Sequence, residues 1–230
     1  MKTSYYKYLL IPIITLIFSV AVYGQSNTNM GIAVTAKLMG STELKVSGGE
    51  YKPDLKRGKQ LNDRDWVRTN SDGYLALMFL DDKSLLKLRE NSELEIQAVK
   101  SSTGLDKSIL MSFGKVKAEI SPQSSGEFTI TTPTSVASVK GTIFWIIVTL
   151  EGDQIVGIEG TVIVTNTESG ETVTVGVGQT ATSSTDGTIV VAPTPEGGVP
   201  DDPGETDEGN QIRIRLENAD GDSKEIIINY

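Results

Sequence analysis

Residues 136–150 read VASVKGTIFWIIVTL, and how this stretch folds decides the architecture. A Lys-Gly-Thr turn at Lys140, Gly141 and Thr142 separates a short Val/Ala segment from a run of Ile, Phe, Trp, Val and Thr, side chains that fit a pleated, half-buried surface. Both alternating sets of that run are apolar: Ile143, Trp145 and Ile147 on one face, Phe144, Ile146, Val148 and Leu150 on the other. A strand apolar on both faces must be covered on both, so residues 143–150 are expected in the core of a packed β structure. In the turn, Gly141 is expected to meet a backbone requirement that a side chain would hinder. Thr142 is expected to satisfy a turn amide through its hydroxyl, and Lys140 to stand exposed and pair with a nearby carboxylate.

The same β grammar extends outward over residues 31–192. Apolar alternation recurs at 74–80, 94–98, 108–113, 116–120, 128–132, 155–159 and 172–175, with turn residues at roughly eight- to twelve-residue spacing. Asp186-Gly187 reads as a hairpin turn. Gly73, Gly114, Gly126, Gly141 and Gly160 each precede a short strand, which suits a chain turning from one sheet to the next. No stretch carries a helical apolar stripe. The fold class is all-β, either a short-strand β-solenoid or a β-sandwich.

Residues 193–210 (PTPEGGVPDDPGETDEGN) break the pattern with prolines, glycines and acids and no basic residue. Too little apolar surface is present to order such a segment, so it is expected to be a disordered, charged linker. Its carboxylates lack the fixed offsets of a calcium loop. Beyond it, residues 211–230 form a hairpin candidate: Ile212, Ile214 and Leu216 alternate with Arg213, Arg215 and Glu217, Asp220-Gly221 turns the chain, and Ile226 and Ile228 return. Two strands are not stable alone in water, so the hairpin must dock on its own domain or on a partner. Ile212, Arg213, Ile214 and Arg215 are the candidate partner edge.

Composition narrows the chemistry. The chain of 230 residues has neither cysteine nor histidine, which removes disulfides, thiolate metal sites, the commonest zinc ligand and the His-dependent nucleophilic triads. Its net charge of −9 and the lack of a basic stripe disfavour a nucleic-acid partner. A carboxylate-based carbohydrate enzyme stays open in principle. It would need two acids at close range in an aromatic cleft, and aromatics are only 6% of the chain, with Tyr5, Tyr6, Tyr8, Phe18 and Tyr23 spent in the N-terminal segment. That segment, residues 1–24, has basic Lys2 and Lys7, an apolar stretch at 9–22, and small Val22 and Gly24 before Gln25. It reads as a cleaved secretory signal, because the apolar stretch is short of the roughly 20 residues a spanning helix needs. Attachment to a membrane would arise only if this segment stayed uncleaved. The expected location is therefore periplasmic, extracellular or cell-surface, with residues 31–192 as the main domain.

The order of motifs resembles the FecR-like domain family of bacterial envelope proteins. Gly58-Lys59-Gln60-Leu61 and DRDWVRT at 63–69 are similar to that family's opening run. Asp82-Lys83-Ser84-Leu85-Leu86-Lys87-Leu88 is similar to its D-G-S-x-L-x-L step, Gly114-Lys115-Val116 to G-x-V, and residues 128–133 to F-x-V-x-T-P. Val139-Lys140-Gly141-Thr142-Ile143-Phe144 is similar to V-[RK]-G-T-x-F, the most specific block, and residues 156–164 and Gly178-Gln179 complete the series. Lys83 stands where the family usually has glycine, and Asp65 is shifted beside Trp66. The resemblance implies no catalytic, cofactor-binding or metal residues. Val139, Lys140, Gly141, Thr142 and Phe144 are carried over as structural motif positions. It implies a non-enzymatic envelope module that senses, binds or scaffolds, with a protein or glycan partner. In well-known members such a domain is the periplasmic part of a transporter–sigma factor regulator. Here only a few residues precede the apolar segment, so a freestanding member without the cytoplasmic sigma-regulating region is expected.

Overall fold

A computed structural model describes residues 31–204 except 103, 124 and 125, together with strands at 211–217 and 223–229. The expected secretory signal and the Asp220-Gly221 turn lie outside the described residues. The strands in chain order are β1 (Ala33–Met39), β2 (Thr42–Lys45), β3 (Gln60–Leu61), β4 (Asp65–Thr69), β5 (Tyr74–Phe79), β6 (Leu85–Leu88), β7 (Ser92–Lys100), β8 (Leu105–Ile120) and β9 (Phe128–Thr131). They continue with β10 (Ser135–Val139), β11 (Thr142–Val148), β12 (Gly152–Glu159), β13 (Val162–Asn166), β14 (Thr172–Val175), β15 (Gln179–Ser184), β16 (Ile189–Pro193), β17 (Gln211–Glu217) and β18 (Ser223–Asn229). No helix occurs among the described residues.

Two sheets stack face to face. Sheet A runs β3-β1-β5-β6-β8-β11-β12-β15-β16 and sheet B runs β2-β4-β7-β8-β9-β10-β13-β14. Every pairing is antiparallel except β8 with β9. Between the sheets lies one core, to which sheet A gives Leu75, Leu77, Phe79, Phe144 and Ile146, and sheet B gives Val67, Leu94, Ile109, Ile130 and Val164. Phe79 and Phe128 meet across it edge to face, with centroids 5.4 Å apart, the arrangement ring quadrupoles favour. The open choice between solenoid and sandwich resolves to a sandwich-like pair of layers that does not close into a barrel.

Strand β8 belongs to both layers. Leu105 to Phe113 pair with β7 in sheet B, while Gly114 to Ile120 pair with β11 in sheet A. The turn from one sheet to the next expected at Gly114 is there, as a bend within one continuous strand. Gly114 has φ +105°, and a Cβ there would overlap the Ser92 side chain and backbone. Ser92 itself secures the bend, its Oγ accepting from Lys115 N–H at 2.9 Å and its N–H donating to Thr69 Oγ1 at 3.0 Å.

The strand in residues 136–150 behaves as expected over most of its length. Phe144, Ile146 and Val148 enter the inter-sheet core, and Trp145 on the opposite face is also buried. Leu150 departs from expectation: it is 98% exposed, because the chain leaves the sheet at Thr149, whose N–H closes a turn onto Gly152 O at 2.9 Å. Strand β5 likewise is buried on both faces. Its outer residues Tyr74, Ala76 and Met78 join Val34 and Ala36 in a second apolar cluster on the outside of sheet A.

That outer face has its own cover. Residues 194–204, expected to be an unordered spacer, are held against sheet A. Thr194 N–H donates to Gly178 O at 2.8 Å, and the Thr180 and Thr194 hydroxyls meet at 2.9 Å. Asp202 then sits beside Lys87 and Lys117, its side chain 3% exposed. Average composition failed here because two distant lysines, not apolar area, order the segment. The β17–β18 hairpin forms a separate two-stranded sheet, and its Ile226 packs on the second apolar cluster.

Candidate functional site

The V-K-G-T-x-F motif lies at the passage from sheet B to sheet A. Val139 ends β10 buried, Lys140 is exposed, and Phe144 stands in the core. Gly141 has φ +110° and would place a Cβ 3.0 Å from Pro122 Cα, so the glycine is required twice over. The two finer expectations for the turn are not met. The Thr142 hydroxyl is buried without a hydrogen-bond partner, and Lys140 forms no ion pair among the described residues. A groove of about 270 Å³ opens beside the motif, lined by Lys83, Leu85, Glu119, Pro122, Thr142 and Glu159 among others. Its lining holds two carboxylates and no aromatic ring, and Glu119 is already engaged by Lys87 at 2.8 Å and Lys117 at 3.2 Å. Lys83 has φ +64° and so takes the conformation that glycine would supply at this family position.

Three polar clusters punctuate the sandwich. Lys107, its side chain fully buried between Phe79 and Phe128, is neutralised by Asp81 at 2.7 Å and Asp82 at 2.5 Å. Burial would raise the Asp82 pKa, but hydrogen bonds from Lys107 and Gln123 outweigh it and hold the carboxyl below its usual range. Asp153, 1% exposed, accepts from the Thr132 and Thr134 hydroxyls and ties the 132–135 turn to β12. Asp65, the shifted family position, is buried and caps Asn62 N–H at 2.9 Å and Ser47 N–H at 3.3 Å. All three tie turns to strands.

The fourth cluster faces outward and binds the C-terminal segment. Asp202 Oδ2 lies 2.9 Å from Lys87 and 3.1 Å from Lys117, and Asp202 Oδ1 accepts from Gly204 N–H at 2.9 Å. Arg89 donates to Asp201 O, and Lys37 donates to Gly204 O at 3.4 Å. Burial would raise the Asp202 pKa, yet the two ammonium groups prevail and lower it. Burial would lower the Lys87 pKa, yet Glu119 and Asp202 prevail and raise it. Lys117 stands opposite Trp145 in the ladder between β8 and β11. Sequence alone gave only a faint signal of this site: lysines at 87 and 117, on strands otherwise dominated by apolar residues.

On the outside of sheet B, Lys45 lies over Tyr51 and Trp66 at 5.7 and 5.3 Å, and Arg68 over Tyr51 at 4.0 Å. Burial and then Glu93 push the Tyr51 phenol above its usual range. The sequence-derived edge residues Ile212, Arg213, Ile214 and Arg215 lie on β17, in register with Ile228, Ile227, Ile226 and Glu225 of β18. The motif residues and this edge therefore belong to different parts of the molecule. Among the described residues no group of three or more His, Cys, Asp or Glu is placed to hold a metal ion, and no helix is long and apolar enough to cross a membrane.

No curated protein matches the sequence. Two crystal structures of a candidate anti-sigma factor from Parabacteroides distasonis align with 15% identity and a TM-score of 0.48 each, over 56% of this chain and 59% of theirs. The FecR protein family model matches residues 65–177, from the first residue of β4 to just past β14. The sandwich formed around β8 thus carries a FecR-family domain match over residues 65–177.

Proposed function

We propose that this chain is an exported, non-enzymatic binding module of the bacterial envelope, of the FecR regulatory kind, which engages a protein partner through the open edge of β17. The observation that carries this reading is the two-stranded sheet of β17 and β18. It leaves one backbone edge of β17 without a further strand among the described residues, and such an edge accepts an added strand from another chain. The hairpin is at the same time seated on the domain through Ile226, so a strand added there would be held against the sandwich. The basic and small-residue pattern of residues 1–24 supports export. The family supports a regulatory role in which no catalysis is needed. A protein partner is favoured over a glycan because Lys45 and Arg68 already lie over the Tyr51 and Trp66 rings on which a sugar would stack.

The test is affinity capture from envelope extract with three forms: the whole chain, the chain without residues 211–230, and the chain with Ile212→Pro and Ile214→Pro, which removes backbone donors from β17. The expected result is one protein retained by the whole chain and lost by both variants. Equal capture by all three would overturn the edge. N-terminal sequencing of the exported protein tests cleavage before Gln25.

A further inference from the structure

Toward the β14 and β16 end of the sandwich lies a buried carboxylate with no counter-charge. Asp153 on β12 is 1% exposed and forms no ion pair among the described residues. The four strands around it, β10, β12, β13 and β15, carry no lysine or arginine. Thr132, Thr134, Ser135, Asn166 and Ser183 are buried beside it, none more than 6% exposed. Register brings these residues together: Asp153 stands opposite Ser183 across β12 and β15 in sheet A, and Ser135 opposite Asn166 across β10 and β13 in sheet B. Asn166 Nδ2 donates to Ser183 Oγ at 2.8 Å, and Ser183 Oγ donates to Thr134 O at 3.2 Å, so one polar cluster joins the two sheets. We propose that this cluster binds a small monovalent cation of the sodium type, with Asp153 Oδ1 and the Ser135 hydroxyl among its ligands.

Two orphaned oxygens point to the ion. Asp153 Oδ2 accepts from the Thr132 and Thr134 hydroxyls, but Oδ1 is buried without a partner, and so is the Ser135 hydroxyl. Thr132 Oγ1 bridges the two residues, since it also accepts from Ser135 N–H at 2.8 Å and lies 3.1 Å from Ser135 O. A buried polar atom left unpaired is costly, and a buried charge more so. Native proteins settle such atoms with a protein donor, a water or an ion. The nearby protein donors are committed: the Asn166 amide to Ser183 Oγ and Ser184 O, and the Ser183 hydroxyl to Thr134 O. A water can donate to Oδ1 but leaves the negative charge uncompensated. A cation removes both deficits. Oxygen donors with neither sulfur nor imidazole suit a hard ion. One carboxylate among neutral hydroxyls balances one positive charge, whereas a divalent ion would leave a net charge buried. The site lies within the sandwich and does not depend on the β17 edge or on the partner sought above.

The test is thermal melting of the full-length chain, followed by circular dichroism, in sodium chloride and in tetramethylammonium chloride at one ionic strength. The native chain is expected to melt about 3 °C or more higher in sodium, because the bulky organic cation cannot enter the cluster. The melting temperature is expected to climb steadily as sodium replaces tetramethylammonium at constant ionic strength. Asp153→Asn keeps the shape and removes the charge, and it is expected to melt alike in both salts. Ser135→Ala removes one ligand and no charge, so it is expected to keep a reduced sodium response, and it carries the comparison if the Asn variant fails to fold. Equal melting of the native chain in the two salts overturns the proposal. So does a sodium response that persists undiminished in both variants, since the ion would then act elsewhere. A larger rise with calcium chloride than with sodium chloride, lost in Asp153→Asn, overturns the assignment to a monovalent ion.

Discussion

Sheet A is sealed on both faces, but by different means. Its inner face meets sheet B, and side chains such as Leu75, Leu77 and Phe144 have no exposure there. Its outer face meets a strap and a hairpin, held by Asp202 between two lysines and by Ile226 on a small apolar cluster. The first seal is apolar packing, with a stabilisation that scales with area and scarcely varies with pH. The second adds a charge contact, so it answers to pH, salt and competition. The domain that matches the family model contains most of the first seal and none of the strap. The comparison teaches that one sheet can be covered on its two faces by different forces, apolar packing inside and a charge-anchored segment beyond the matched residues outside.

Substitutions can break that distinction, and the largest effect is expected at the bend of β8. Gly114→Val must leave a φ of +105° and overlaps Ser92, so it should cost about 3 kcal/mol or more and lower the melting temperature of the whole sandwich. A variant melting like the native chain would show that the sheets do not depend on the shared strand. Gly141→Val is next, at about 1–3 kcal/mol, since it too faces a positive φ but only a single close approach, to Pro122. Lys140→Ala, at an exposed side chain, should change stability by less than about 0.5 kcal/mol. If these last two melt alike, the Lys-Gly-Thr corner has no structural role.

Asp202→Ala sharpens the contrast from the other side. It should cost about 1–3 kcal/mol at the strap, because it strips a largely buried charged acceptor from both lysines while Glu119 stays with them, with almost no change in the global melting temperature. Hydrogen exchange should quicken at residues 194–204 while β8 and β11 keep their protection. Uniform loss of protection would mean that the strap is part of the core after all. The pH dependence follows from the direction of the shifts. The Asp202 pKa is lowered in the folded chain, so its contribution is present above the unfolded carboxylate pKa of about 4 and is lost as pH falls through the lower folded value. The Lys87 pKa is raised, so its contribution holds below about pH 10 and fades above it. Limited proteolysis at 194–204 should therefore be flat between those limits and rise at both extremes. A step near pH 6 would contradict the assignment, since the chain has no histidine.

Much of the sandwich was legible from residues alone because its rule is local. Alternation placed Phe144, Ile146 and Val148 inward, and the apolar second face of the same strand correctly demanded another cover. The turn glycines were legible for the same reason, and the departure at Lys83 became intelligible once its φ of +64° was seen. What escaped depends on distance along the chain. Gly114 was legible as a corner between sheets, but not that one strand runs unbroken through it, because nothing nearby shows that Leu105 and Ile120 pair with different sheets. The strap looked unordered because its anchor joins Asp202 to lysines 115 and 85 positions earlier. The β17 strand was legible as a pattern, though not the seat of the hairpin, since the apolar cluster on which Ile226 packs is equally remote in sequence.

One strand carries a consequence for how the molecule bears load. Because β8 is a single 16-residue strand hydrogen-bonded into both layers, the layers cannot slide apart like separate plates. A load on the chain at residue 204 would meet the Asp202 anchor, a few point contacts in series, before it reached the shared ladder, where many hydrogen bonds act in parallel. The strap would thus act as a mechanical fuse, yielding first while the sandwich behind it remains intact.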